Sequence, residues 1–201
     1  MSLPAGTQPG TIASPDGPPD PGLIDDLLTQ ALAGPTVTVP ADPARRELSF
    51  AEVVARLGAA GPPGLGAGGR LDYGFDAGPH VRLIILDLVR RGGGSDGLVS
   101  VEQLAFLERE LALAGRRWVI VISHQPLEDS AGADPLFALL DASPRVVAVI
   151  SGHIHRNRIR ARPTAAGGYW MINTASLIDY PQQARALRVL ATAGGGVALQ
   201  T

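Results

Sequence analysis

Three of the chain's four histidines fall in two short segments, Ser123-His124-Gln125-Pro126 and Ser151-Gly152-His153-Ile154-His155. Neutral imidazole is a common ligand for divalent metals. Three converging imidazoles could hold one ion and leave a position open for water. A water bound in that way loses several pKa units and becomes a nucleophile near neutral pH. The chain has no Cys, which excludes disulfides and thiolate sites, so any metal must rest on His, carboxylate or amide oxygen. No Gly-x-Ser-x-Gly elbow, P-loop, helix-opening Gly-x-Gly-x-x-Gly or His-Glu-x-x-His offers competing chemistry.

These segments can act together only if the fold gathers them. Val81–Leu86 (VRLIIL), Trp118–Ile122 (WVIVI) and Val146–Ile150 (VVAVI) are continuous apolar runs of strand length. Ser100-Val-Glu-Gln103 is a capping box that opens a helix through Ala114, with Leu104, Leu107 and Leu111 on one stripe. Pro135–Leu140 reads as a second, shorter helix. Strand, helix, strand, helix, strand argues an α/β fold with a parallel sheet covered on both faces. Right-handed crossovers set successive strands side by side with one polarity. Asp87, His124 and the 151–155 segment then lie along the carboxyl edge, where open α/β sheets bind ligands. The tail differs: Tyr169–Asn173, Ala186–Ala191 and Val197–Leu199 read as strands without helices between them, a mixed or antiparallel flank.

The region before residue 70 has another texture. Residues 1–22 hold six Pro and four Gly with almost no large apolar side chain, too little to offset ordering entropy, so a disordered tail is expected. Residues 23–69 read as a helical and loop insertion: a helix over 22–32, a capping box at Ser49–Glu52 opening a helix through Leu57, and a Gly/Pro loop over 58–69. Arg70–Phe75 reads as a strand turned onto Val81–Leu86. Residues 70–201 form the domain that carries the histidines.

At the strand ends the residues carry a resemblance. Ser-His124-Gln-Pro after one strand, and Gly-His153-Ile-His155 after the next, resemble the last two motifs of the calcineurin-like metallophosphoesterases. Asp87 in Ile-Leu-Asp, with the Gly-rich loop after it, is similar to the segment preceding those motifs. Asn173-Thr-Ala-Ser176 and the Asp179-Tyr-Pro-Gln-Gln-Ala-Arg185 run resemble a bacterial branch. The resemblance implies the C-terminal half of a calcineurin-like β-sandwich with flanking helices, and a metal-dependent phosphoric ester hydrolase. It implies two divalent transition ions (Mn, Fe or Zn), with His124 and His153 on one, His155 on the other, and a bridging hydroxide attacking phosphorus. The family's three earlier motifs, Asp-x-His, Gly-Asp-x-x-Asp and Gly-Asn-His-Asp or Glu, have no match before His124. The chain therefore reads as a portion of such a domain, with a missing N-terminal half as an implied partner. Gln125 stands where many members have a second His.

Blander readings stand beside these. Asp87 can serve as a structural cap, and Asn173 and Ser176 as turn residues. His80 reads as surface. Arg156, Arg158, Arg160 and Arg162 alternate with period two, which suggests a solvated strand face more than a phosphate-attracting one. With 17 basic residues, all Arg, against 19 acidic ones, the net charge of −2 gives no nucleic-acid signal. No apolar run is long enough to span a membrane and no leader is visible, so a cytoplasmic location is the default expectation. Three functions follow: a phosphomonoesterase or phosphodiesterase acting on a small-molecule phosphate ester; a truncated or degenerate domain without catalysis, with exposed apolar surface where a missing sheet would pack; and a mononuclear zinc hydrolase on His124, His153 and His155.

Overall fold

The computed structural model describes residues 25–26, 29–30, 33, 40, 42–46, 48–62, 65–66, 69–179 and 182–201. The expected tail, 1–22, lies outside these residues, as does most of the helix expected over 22–32. The first long element is α1, Phe50–Ala60, three residues longer than expected. Its capping box forms as the sequence predicts: Ser49 Oγ accepts from Glu52 N–H, and the Glu52 carboxylate accepts from Ser49 N–H.

The body is a six-stranded sheet in the order β1-β2-β3-β4-β6-β5. Its strands are β1 (Tyr73–Asp76), β2 (Val81–Leu86), β3 (Trp118–Ser123), β4 (Val146–Ser151), β5 (Arg158–Thr164) and β6 (Gly167–Asn173). β2, β3 and β4 run parallel and adjacent, as the alternating pattern requires, and β6 joins them in parallel. β1 and β5 close the two ends antiparallel. The crossovers are α2 (Val101–Ala114), opened by the Ser100/Gln103 capping box, and α3 (Asp134–Asp141). β7 (Arg188–Ala191) and β8 (Val197–Gln200) form a separate antiparallel hairpin.

Strand alternation divides the apolar residues between two cores. Ile84, Leu86, Val119, Val121, Val149 and Met171 face one side and are buried with Leu107 of α2 and Leu136 and Leu140 of α3. Ile120, Ala148 and Ile172 face the other, where Val189 of β7 and Val197 and Leu199 of β8 pack against them. The result is an α/β fold, one sheet between helices and a small second sheet. Gly74 of β1 is needed for a close approach: a Cβ there would stand 1.8 Å from Glu110 Oε2, the carboxylate that receives Arg82. Among the described residues no helix is long and apolar enough to cross a membrane.

The structure corrects some readings. Residues 70–72 are not strand. Asp72 accepts Asp87 N–H at 2.7 Å and the fully buried Gln103 amide at 2.8 Å, so its carboxylate anchors the carboxyl end of β2. Arg158, Arg160 and Arg162 lie on a strand, β5, and the face divides: Arg156 and Arg158 are exposed as expected, whereas Arg160 and Arg162 are half-buried. Arg160 is paired with Glu128, and Arg162 makes a two-pronged contact with Asp141 at 2.7 and 2.6 Å. Their partners lie on the elements after β3, so that half of the stripe packs against the body. Leu127 and Leu140, neighbours of those two carboxylates in sequence, are fully buried.

Candidate metal-binding edge

β3 and β4 end in Ser123 and Ser151, both buried, and the histidine segments begin directly after them. Ser123 Oγ donates to the Gln125 carbonyl at 2.7 Å, which folds the 124–126 turn tightly over the strand end. Gln125 points into the protein, its amide toward the Ser95 carbonyl, while His124 stays exposed. A backbone bond from Gly152 N–H to the His124 carbonyl, 3.0 Å, ties the second segment to the first. Another, from Thr174 N–H to the Ser151 carbonyl, 2.8 Å, ties in the end of β6. Beneath them the buried Asn173 amide donates to Ser151 Oγ at 2.6 Å. Three loops from three adjacent strands are thus joined at one edge.

The backbone of the 152–155 turn is unusual. His153 has φ 68° and His155 φ 53°, both left-handed. Ile154 N–H reaches back to the Gly152 carbonyl at 2.8 Å across His153. A three-residue turn of this hand is rare and strained. Left-handed non-glycine residues cost about 1–3 kcal/mol each and gather at functional sites.

The strain brings two imidazoles together. The His124 and His153 rings lie 5.2 Å apart, centre to centre, at an interplanar angle of 75°. His124 reaches solvent, but the loops packed around its ring withdraw part of its hydration and hold its pKa below the ordinary imidazole value, and the neighbouring His153 and His155 add to the effect. The neutral, ligand-competent form is therefore favoured. His155 meets the Asp179 carboxylate through Nδ1, which leaves Nε2 as its other nitrogen. Asp179 is itself held by the Ser176 hydroxyl, which accepts its N–H at 3.3 Å. Sequence reasoning took Ser176 for turn chemistry and gave Asp179 no role. A Ser three residues before an Asp was the available signal.

The other candidates are structural. Asp87 accepts N–H groups from Leu71 and Val89 and pairs with Arg91, so its carboxylate is spent on the loops around it. His80 is exposed, as expected. Asn173 is buried under the site, with its Oδ1 lacking a partner.

The donor set can be tested against a metal. Two imidazoles sharing a tetrahedral ion, each bound at about 2.0–2.1 Å, have ring centres about 5 Å apart. The observed 5.2 Å between His124 and His153 fits one shared ion. Among the described residues no group of three or more His, Asp or Glu side chains could hold an ion, so those residues alone complete neither a three-imidazole site nor a two-ion centre.

No family model and no curated protein sequence matches the chain. Among solved structures it is similar to a dimetal phosphatase from Danio rerio, with a TM-score of 0.53 and 19% identity, over 67% of this chain and 59% of that one. It also matches, over 64% of its length and 23% of the other, the sulfate thiohydrolase SoxB of Thermus thermophilus, with a TM-score of 0.37 and 17% identity. The chain has the fold of the first. It spans 59% of that phosphatase's length.

Proposed function

We propose that this chain belongs to a metal-dependent phosphoric ester hydrolase of the calcineurin-like metallophosphoesterase superfamily. His124 and His153 would hold one divalent transition ion, Mn, Fe or Zn, and His155 would serve a second. The observation that carries the reading is the pair of imidazoles 5.2 Å apart on joined loops at the carboxyl edge, in a fold shared with a dimetal phosphatase. The bound ion would supply Lewis acidity and an acidified water. The chain's own contribution is to fix the imidazoles. Backbone bonds hold the loops in place, strain aims His153, and Asp179 orients His155. Hydrolysis would form a bond from water oxygen to phosphorus and break the ester P–O bond, with the proton passing to the departing alcohol. The family's carboxylate-bearing motifs have no match before His124, and residues 70–201 would be the portion of the domain that carries the histidine motifs.

The test is metal analysis of the purified chain, followed by hydrolysis of p-nitrophenyl phosphate and its bis ester with Mn, Fe or Zn. His153→Ala should lower metal affinity by about 100-fold, since even the partners behind a ligand are worth 10–100-fold. A chain that binds none of these ions any better than His153→Ala does would sink the reading.

A second reading, a domain without catalysis, is favoured because no group of three or more His, Asp or Glu side chains able to hold an ion is found among the described residues. It expects one weakly held ion and no turnover of either ester. Its companion expectation, broad apolar exposure, meets a mixed result. Leu83, Ile85, Ile122 and Ile150 are half-buried, while Leu57 and Trp170 are exposed at 47% and 46%.

A further inference from the structure

A cavity of about 430 Å³ opens between α1 and the carboxyl end of β2. Leu57 and Ala60 of α1, Leu65, Leu71, Tyr73 and Ile85 form its walls, and Asp87 and His124 lie at one end. Pockets that hold small molecules measure roughly 300–1,000 Å³ and are mostly apolar, with few polar groups to fix orientation. This one has that character. The Asp87 carboxylate is committed to Leu71 N–H, Val89 N–H and Arg91, which leaves His124 as the ligating group at that end. The cavity therefore runs from an apolar chamber directly to one of the paired imidazoles. Another cavity, about 160 Å³, lies at the opposite edge of the sheet around Trp118 and Val146, away from the two histidine segments.

The walls are held in place. Asp72 and Gln103 fix the residues around Leu71 and Asp87. Arg91 lies 3.8 Å from the centre of the Phe50 ring, which ties α1 to the loop after β2. Leu57 is nonetheless about half-exposed on a helix whose capping box sets its start. Apolar surface kept open to water beside a ligating group gains free energy when an apolar ligand covers it.

We propose that this cavity takes the apolar organic group of the ester, so that the preferred substrates are aryl phosphates whose phosphate lies at His124 and His153. This rests on the phosphate-ester reading of that edge. It adds a site for the alcohol half of the substrate and names the class, a ring or short branched chain in preference to a sugar or other polyol.

The test uses the full chain with methyl-labelled Leu and Ile, Zn²⁺ present, and NMR titration with 1-naphthyl phosphate, methyl phosphate and 1-naphthol. 1-Naphthyl phosphate should shift the Leu57, Leu65 and Ile85 methyls together with the His124 ring, and bind about tenfold tighter than methyl phosphate. Leu57→Trp, which fills the mouth, should erase that difference. Ala60→Leu, which keeps a good helix former at the end of α1 while filling the cavity, is the second variant should the first fold poorly, and its methyl spectrum reports folding. Equal affinity for the two esters, with both shifting His124, overturns the cavity assignment while the phosphate-ester reading stands. If methyl phosphate leaves His124 and His153 unmoved, the phosphate-ester reading fails and the proposal with it. Naphthol shifting the cavity methyls while naphthyl phosphate does not would separate the cavity from the site and also overturn it. Loss of the Leu57 and Ile85 signals that grows with protein concentration would assign the cavity to a second copy of the chain, against the proposal.

Discussion

Two nitrogen-rich features of this sheet could each have met a phosphate, and the fold treats them in opposite ways. Two arginines of β5 are spent on their own protein: Arg162 on Asp141, Arg160 on Glu128, with Arg162 also lying 4.3 Å from the centre of the Phe137 ring. Tyr169 completes that group, donating its hydroxyl to Asp141 at 2.8 Å. At the carboxyl edge the His124 and His153 rings face each other 5.2 Å apart, and His153 is held there on a left-handed backbone that is costly to keep. Charges that neutralise one another glue β5 to α3. Imidazoles kept facing at a fixed separation are arranged for something the chain does not itself supply.

Three changes sharpen or break this contrast, and the first should have the largest effect. Arg162→Met removes the two-pronged partner of Asp141 and should lower stability by about 1 kcal/mol, a value discounted because both side chains are about a third exposed. Chemical denaturation would measure it, and metal binding should not move. A loss of metal with Arg162→Met would mean that the two regions are not separate.

The second change is acidification. Arg162, by hydrogen bonding, holds the Asp141 carboxyl below its ordinary pKa, with Tyr169 adding to the effect. Above the unfolded value near about 3.9 the stabilisation is complete. As the pH falls from about 4 through the lowered folded value, the unfolded chain takes up the proton first and the contribution is lost. Denaturation midpoints at pH 5 and pH 3 should therefore draw closer in Asp141→Asn than in the natural chain.

The third is His153→Gly. Glycine adopts a φ of 68° without penalty, so stability should hold or rise by about 0.5–1 kcal/mol while metal affinity drops. A clear loss of stability would show that the imidazole is itself part of the packing and would weaken the contrast.

Much of this arrangement was legible from local signals. The capping boxes at Ser49 and Ser100 predicted the starts of α1 and α2, and continuous apolar runs marked the parallel strands. Parallel topology alone then brought His124 to the 151–155 segment. The illegible parts depend on long-range geometry. Arg162 meets Asp141 across 21 residues, and Gln103 meets Asp72 across 31, so neither partner can be read from spacing. The cavity needs α1 to pack beside β2, and composition placed that helix only in an insertion region. Gly152 opens the turn, but the left-handed positions themselves are His153 and His155, and neither is a glycine that would announce such a backbone.

That turn also limits what the chain can become. Few side chains besides glycine tolerate positive φ; Asn, Asp and His are the common ones. Random substitution at 153 or 155 therefore meets a backbone that rejects branched and bulky residues first. Most of the polar residues it accepts can coordinate metal. The shape of the loop acts as a sieve on mutation, so variants that still fold are enriched in potential ligands before any selection on chemistry begins.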